Sequence, residues 1–274
     1  MLSQMVMGAT HAMSGAAVGL AVADLLPTDW GGPTSTAETF AFAGVCAGAA
    51  LLPDLDTTQS TVARSFGPIS KALAAGIDTL SLGVYRVTKG RKDANRRGGH
   101  RTFTHTALFA IGLGAGISAL VGQFGRPAII VTLFFTLGLA LRGLFGSWAR
   151  DKGWLIVTAV SAFLSVLTWQ WFPDQVGSTG LGVAVALGCA THCLGDMITK
   201  EGVPFLAPFV PLGGRRWWEL RLPSFLAIRA GGGFERAFLG PALTLVAVGL
   251  ALWSVDGAPE AITDALRNSV QASE

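Results

Sequence analysis

Charge is scarce in this chain. Only 14% of its 274 residues are charged against 51% hydrophobic, and the mean hydropathy is +0.52. A soluble domain carries about a quarter charged residues, so most of this chain is expected to face lipid rather than water. Disulfide-forming cysteine is equally lacking. Cys46, Cys189 and Cys193 are odd in number and lie inside apolar stretches, which excludes a disulfide framework and predicts three small buried hydrophobes. Cys193, next to His192, is kept in view as a candidate ligand. The first residues, MLSQMVMGATHAM, lack the basic segment of an export signal and contain His11, so they are read as the first helix. A net charge of +3 is too small to argue for nucleic acid. The basic run 86–101 has none of the interleaved aromatics that base stacking wants.

What is abundant fits a membrane bundle. The 36 glycines let helices approach closely, and the 8 tryptophans suit headgroup regions. Apolar stretches at about 8–26, 39–53, 103–122, 127–145, 153–171, 179–198 and 236–254 reach or approach the roughly 20 residues a crossing requires. They predict an all-α polytopic bundle of seven spans, with six to eight as the range. The mixed segment 66–88 reads as an interfacial or re-entrant helix. Seven spans put 18 of the 20 Lys and Arg on one side, leaving Arg126 and Arg267 opposite. The positive-inside rule makes the basic side cytoplasmic, with the N-terminus in and the C-terminus out. Residues 1–255 then form one transmembrane domain with cytoplasmic loops 54–102 and 199–235. Residues 256–274 are expected to be a weakly ordered extracytoplasmic tail.

Histidine is rare too, and its placement carries the chemistry. His11 opens the first span, Asp54 and Asp56 close the second in P-D-L-D, His100 and His105 open the third in H-R-T-F-T-H, and His192 and Asp196 close the sixth. In the predicted topology all seven reach one depth of one face. His192 and Asp196, four apart on a helix, project from one side. Asp54 and Asp56, in an extended turn after Pro53, are expected to point the same way. His100 is expected to fold back beside His105. Singly, each has an ordinary reading: His11 as a packing hydrogen bonder, the aspartates as caps or turn formers, the His192–Asp196 pair as an intrahelical contact. Together they read as a metal site, because ionisable groups in spans are costly and usually functional. Imidazole and carboxylate suit zinc, manganese or iron, and seven candidates exceed the ligands of one zinc, so two ions bridged by a carboxylate are expected.

Asp54 or Asp56 would orient or deprotonate a water, and Arg101 would hold a phosphate or carboxylate. Thr104 and Thr106 are read mainly as caps, Asp151 and Glu201 as solvated loop acids, and 213–219 (GGRRWWE) as an interfacial anchor whose Arg215 or Arg216 could contact lipid phosphate.

The motifs His11-to-Gly15, Pro53-Asp54-Leu55-Asp56, His100-to-Thr106 and His192-to-Asp196 resemble, in order and over most of the chain, the YdjM-like family of bacterial inner-membrane proteins. Thr106 stands where that pattern usually has serine, which keeps the hydroxyl. The resemblance implies a metal-dependent membrane hydrolase of unsettled substrate. Membrane lipids and an amphipathic or lipid-linked substrate are the expected partners, at the cytoplasmic membrane. A divalent-metal transporter and a structural membrane protein that uses the metal to hold helix ends together are the alternatives. A transporter predicts polar residues continuing across the bilayer, and the middles of 127–145 and 153–171 have almost none.

Overall fold

Eight helices follow one another along the chain: α1 Leu2–Ala23, α2 Thr36–Ala49, α3 Pro68–Thr88, α4 Ala107–Phe124, α5 Arg126–Leu144, α6 Gly146–Trp171, α7 Ser178–Met197 and α8 Gly240–Trp253. They are taken from a computed structural model, which describes residues 2–60, 62–171 and 178–255. Among the described residues no strand forms, only isolated bridges in the loop before α8. The protein is an all-α bundle. Stretches long and apolar enough to cross a bilayer are Thr36–Asp56, Ala107–Phe124, Arg126–Leu144, Gly146–Trp169, Thr179–Met197 and Glu235–Trp253. These six fall within the predicted range of six to eight; α1, with 22 residues, has a crossing length and packs on α2, α5, α7 and α8. The predicted tail and Arg267 lie outside the described residues.

Local chemistry sets the helix ends. Ser35 accepts the Glu38 N–H at the start of α2, and Thr106 accepts the Phe109 N–H at the start of α4. Between α4 and α5, Gly125 adopts φ 57° and Pro127 begins the next helix, which makes a tight reversal. α1, α2 and α7 pack through small residues. A Cβ on Gly48 of α2 would lie 1.8 Å from the Thr136 carbonyl oxygen of α5, so only glycine permits that crossing. Cys46, Cys189 and Cys193 are buried and unpaired in this core, as small hydrophobes.

α3 does not join the bundle of spans. Its buried residues Ser70, Ala74, Ser81 and Tyr85 form one stripe, which faces the turns Pro53–Asp56 and Val62–Arg64. Ile69, Leu73, Leu80 and Val87 are exposed on the other side. That division suits an interfacial helix.

Three expectations need correction. α1 starts at Leu2, so His11 sits inside the helix rather than at its mouth. The predicted loop 146–152 is helical, and the break comes at Gly153, with φ 80°. Trp217 of the 213–219 segment is buried rather than an anchor: its backbone N–H donates to Asp93, its indole N–H donates to Thr88, and its ring packs 5.2 Å from Tyr85. With the Arg96–Glu219 ion pair at 3.0 Å, these contacts lock the two long loops together.

Gly48→Ala should destabilise the protein by about 1–3 kcal/mol through forced overpacking, read as a lower unfolding temperature in detergent. Gly249→Ala, whose added Cβ meets nothing within 4 Å, should leave that temperature unchanged.

Candidate metal centre

The centre forms where the interior of α1, the turn Pro53–Asp56, the loop before α4 and the last turns of α7 meet. Proline at the first position draws residues 53–56 into a 3-10 helix. The expected extended turn is absent, and the two carboxylates diverge. Asp54 faces His105 and His192, whereas Asp56 faces His100 and Thr104.

Four donor atoms cluster. His105 Nε2 lies 3.3 Å from His192 Nε2, 3.8 Å from Asp54 Oδ1 and 3.6 Å from Asp196 Oδ2. His192 Nε2 lies 3.7 Å from each of those two oxygens. A tetrahedral zinc with bonds of about 2.0–2.1 Å separates its ligands by about 3.3–3.4 Å. A few tenths of an ångström of contraction would therefore close Asp54, His105 and His192 on an ion, with Asp196 beside them.

The surroundings aim these donors inward. His192 Nδ1 donates to the Ala50 carbonyl at 2.8 Å, which leaves the Nε2 lone pair for a metal. His105 Nδ1 donates to Thr104 Oγ1 at 3.0 Å, and that hydroxyl donates to Asp56 Oδ2 at 2.6 Å. Asp56 thus orients His105 through Thr104. It is also occupied by His100 Nδ1 at 2.8 Å and by the Arg101 backbone N–H at 3.1 Å.

The structure brings all seven predicted residues together but separates them by task. Asp54, His105 and His192 present donors to one point, and Asp196 lies beside them with Oδ2 shared with Arg101. Asp56 is saturated with hydrogen bonds. His100 does fold back beside His105, with ring centroids 5.6 Å apart, but its side chain is 49% exposed and directed at Asp56. His11 stacks on His192 at 4.0 Å and places Nε2 3.4 Å from Asp196 Oδ1. His192 has a single free nitrogen, so the group His11–His192–Asp196 and the group Asp54–His105–His192 cannot each hold an ion through it. Only His11 and one Asp196 oxygen remain for a second ion. Cys193 joins neither group.

Arg101 adopts φ 53°, a left-handed backbone unusual for arginine. It packs between Asp196 Oδ2 at 2.9 Å and Glu201 Oε2 at 3.0 Å. Glu201 is therefore an arginine partner and not merely a solvated acid. Thr106 caps α4 as expected, but Thr104 does not. Sequence reasoning also passed over Glu235, which is buried and accepts from Thr10 and from the Gly231 N–H. Its position in an apolar stretch was the available signal.

The residues fit a metal on their own terms. Both Asp196 oxygens are buried and neither accepts a hydrogen bond of acceptable geometry. A buried carboxylate of this kind calls for positive charge, which Arg101 supplies in part at 2.9 Å and a metal between the imidazoles would complete.

The YdjM inner membrane protein family matches residues 5–153 and 153–256. The chain belongs to that family. No curated protein and no solved structure matches the chain. Within this YdjM member, the four motifs are the four pieces of chain that build the centre.

His105 lies outside the spans. Burial alone would lower its pKa, but Asp54 and Asp56 outweigh burial and hold it at about 9. Without metal, the charged ring should stabilise the fold fully below about pH 6.5, and that contribution should fade as pH rises through about 9. Metal must displace this proton, so zinc affinity should rise from about pH 6 to about pH 9 and then level. Zinc titrations in detergent check this, and a pH-independent affinity would contradict it. Thr104→Val should weaken metal binding by about 10–100-fold. Thr106→Val should cost about 1 kcal/mol of stability while metal content, measured after dialysis, is retained.

Proposed function

We propose that this protein is a metal-dependent hydrolase that works at the cytoplasmic face of the inner membrane on a lipid or lipid-linked phosphate or ester. The observation that carries the reading is the donor set: two imidazole nitrogens and two carboxylate oxygens with no thiolate, edged by a fixed guanidinium. Structural zinc sites are closed and usually cysteine-rich, whereas imidazole and carboxylate donors with an open side typify hydrolytic sites. The Asp54 side chain is 23% exposed while those of His105, His192 and Asp196 are buried, so access comes past Asp54. The partition of Lys and Arg supports cytoplasmic placement.

When bound, a divalent ion such as zinc or manganese supplies Lewis acidity and a water acidified toward neutral pH. Asp54, the accessible carboxylate, would hold the ion through Oδ1 and use its other oxygen to orient that water and take its proton. Arg101, whose guanidinium pairs with Asp196 and Glu201 and whose backbone N–H bonds Asp56, would share that guanidinium with a phosphoryl oxygen. Asp56, through Thr104, keeps His105 from turning. The group Asp54, His105 and His192 is the one the hydrolase reading uses for its ion. A transport path is disfavoured. The buried hydroxyls of Thr132, Thr136, Ser161 and Ser165 each bond back to their own helix, so they line no polar route through α5 or α6.

His105→Ala and Asp196→Ala should lose hydrolysis to background in a lipid-phosphate screen while keeping the wild-type helical spectrum. Full activity in both, or in excess chelator, would sink the reading. Arg101→Ala should raise KM for a phosphoester by about tenfold or more, measured with metal content held equal.

A further inference from the structure

A cavity of about 620 Å³, walled almost entirely by carbon, lies between α4 and α5. It exists because these helices lean apart: α4 packs mainly on α7, and α5 mainly on α6 and α2. Leu113, Ile117 and Phe124 line it from one face of α4, and Val131 and Phe135 from α5, with Leu73 of α3 across the side. Its other end reaches Leu52 and Leu55, and Leu55 stands between Asp54 and Asp56 in the turn that supplies the metal centre. The groove therefore runs from beside the turn that carries Asp54 and Asp56 to the α4–α5 reversal.

Length and charge select the occupant. α4 has 18 residues, about 27 Å at a rise of about 1.5 Å per residue. A bilayer core is about 30 Å thick, so one leaflet supplies about 15 Å. An ordinary acyl chain would leave half the groove empty. At the mouth, exposed Arg64 lies between the lining residues Val62 and Phe66, and exposed Lys71 follows the lining residue Ser70. Two cations beside a metal-ligating turn complement an anionic head.

We propose that the groove holds the tail of the substrate, a phosphate-bearing lipid with one hydrocarbon chain longer than a leaflet, of the polyisoprenyl class, whose phosphate reaches the metal centre. This assignment rests on the hydrolase reading for the head and on the groove alone for the tail. The tail packs along the 109–124 face of α4, and its phosphate lies between Arg64, Lys71 and the centre.

The test uses the full-length protein in lipid nanodiscs with a polyprenyl phosphate that carries a photoreactive group near the tail end. Labelling should map to groove-facing residues of α4 and α5. Val131→Trp, a change at a half-exposed wall position, should cut it by at least about tenfold with metal content unchanged. Val248→Trp, on the exposed face of α8, should not reduce it. Label spread equally over α6 and α8, or undiminished by Val131→Trp, would overturn the proposal. Equal groove labelling by a two-tailed phosphatidic acid with the same photoreactive group would overturn the chain class. If the groove labels but no lipid phosphate is hydrolysed, the tail site stands and the hydrolase reading falls. If a short-chain phosphoester is hydrolysed while the groove stays unlabelled, the reverse holds.

Discussion

A buried aspartate without hydrogen-bond donors governs this structure. Asp196 ends a transmembrane helix with both oxygens out of reach of water and of well-aligned N–H groups. In a low-dielectric interior an uncompensated carboxylate costs several kcal/mol, so the fold must bring positive charge or a metal to it. Each nearby feature answers that demand. α1 carries His11 to one oxygen, and the left-handed Arg101 reaches the other. His105 and His192 close the remaining side with nitrogens whose opposite ring faces are already bonded. The small-residue packing of α1, α2 and α7 holds these parts in place, because a shift of one helix would separate donors only 3–4 Å apart.

Much of this was legible in the sequence because it follows from composition and spacing. Long apolar runs located the spans, and four histidines in a chain with so few charges located the centre. What sequence could not give was the division of labour. Asp54 and Asp56 look equivalent on paper, and only the 3-10 turn after Pro53 sends one to the donor cluster and the other to Thr104 and His100. Thr104 read as a cap because threonine before a helix usually is one, and the cap proved to be Thr106. Trp217 read as an interfacial anchor because tryptophan near a membrane usually is one. Its burial depends on Asp93 and Tyr85, more than 120 residues away in the chain, a contact that no local pattern encodes. The count of seven candidates also hid which carboxylate is saturated with hydrogen bonds, since Asp54 and Asp56 have the same letter.

The two long loops and α3 make the centre more than a helix-bundle detail. Asp93 accepts from the backbone of Gly90, Arg216 and Trp217 and ties one loop to the other. Arg101 bonds to the Gly202 carbonyl and to Glu201, so the second loop also fixes the guanidinium at the centre. α3 presents its small, polar stripe to the turn that carries Asp54 and its apolar side chains outward. The centre is thus covered by polypeptide on the loop side, with Asp54 as its most exposed member.

The central claim is that the cluster of Asp54, His105, His192 and Asp196 holds one divalent ion and leaves a position open to water. X-ray absorption on metal-loaded, purified protein tests this most directly. The account predicts one equivalent of metal with only nitrogen and oxygen neighbours at about 2.0–2.2 Å, lost in Asp196→Ala. Stable, folded protein that takes up no metal, or a sulfur neighbour at about 2.3 Å from Cys193, would contradict it.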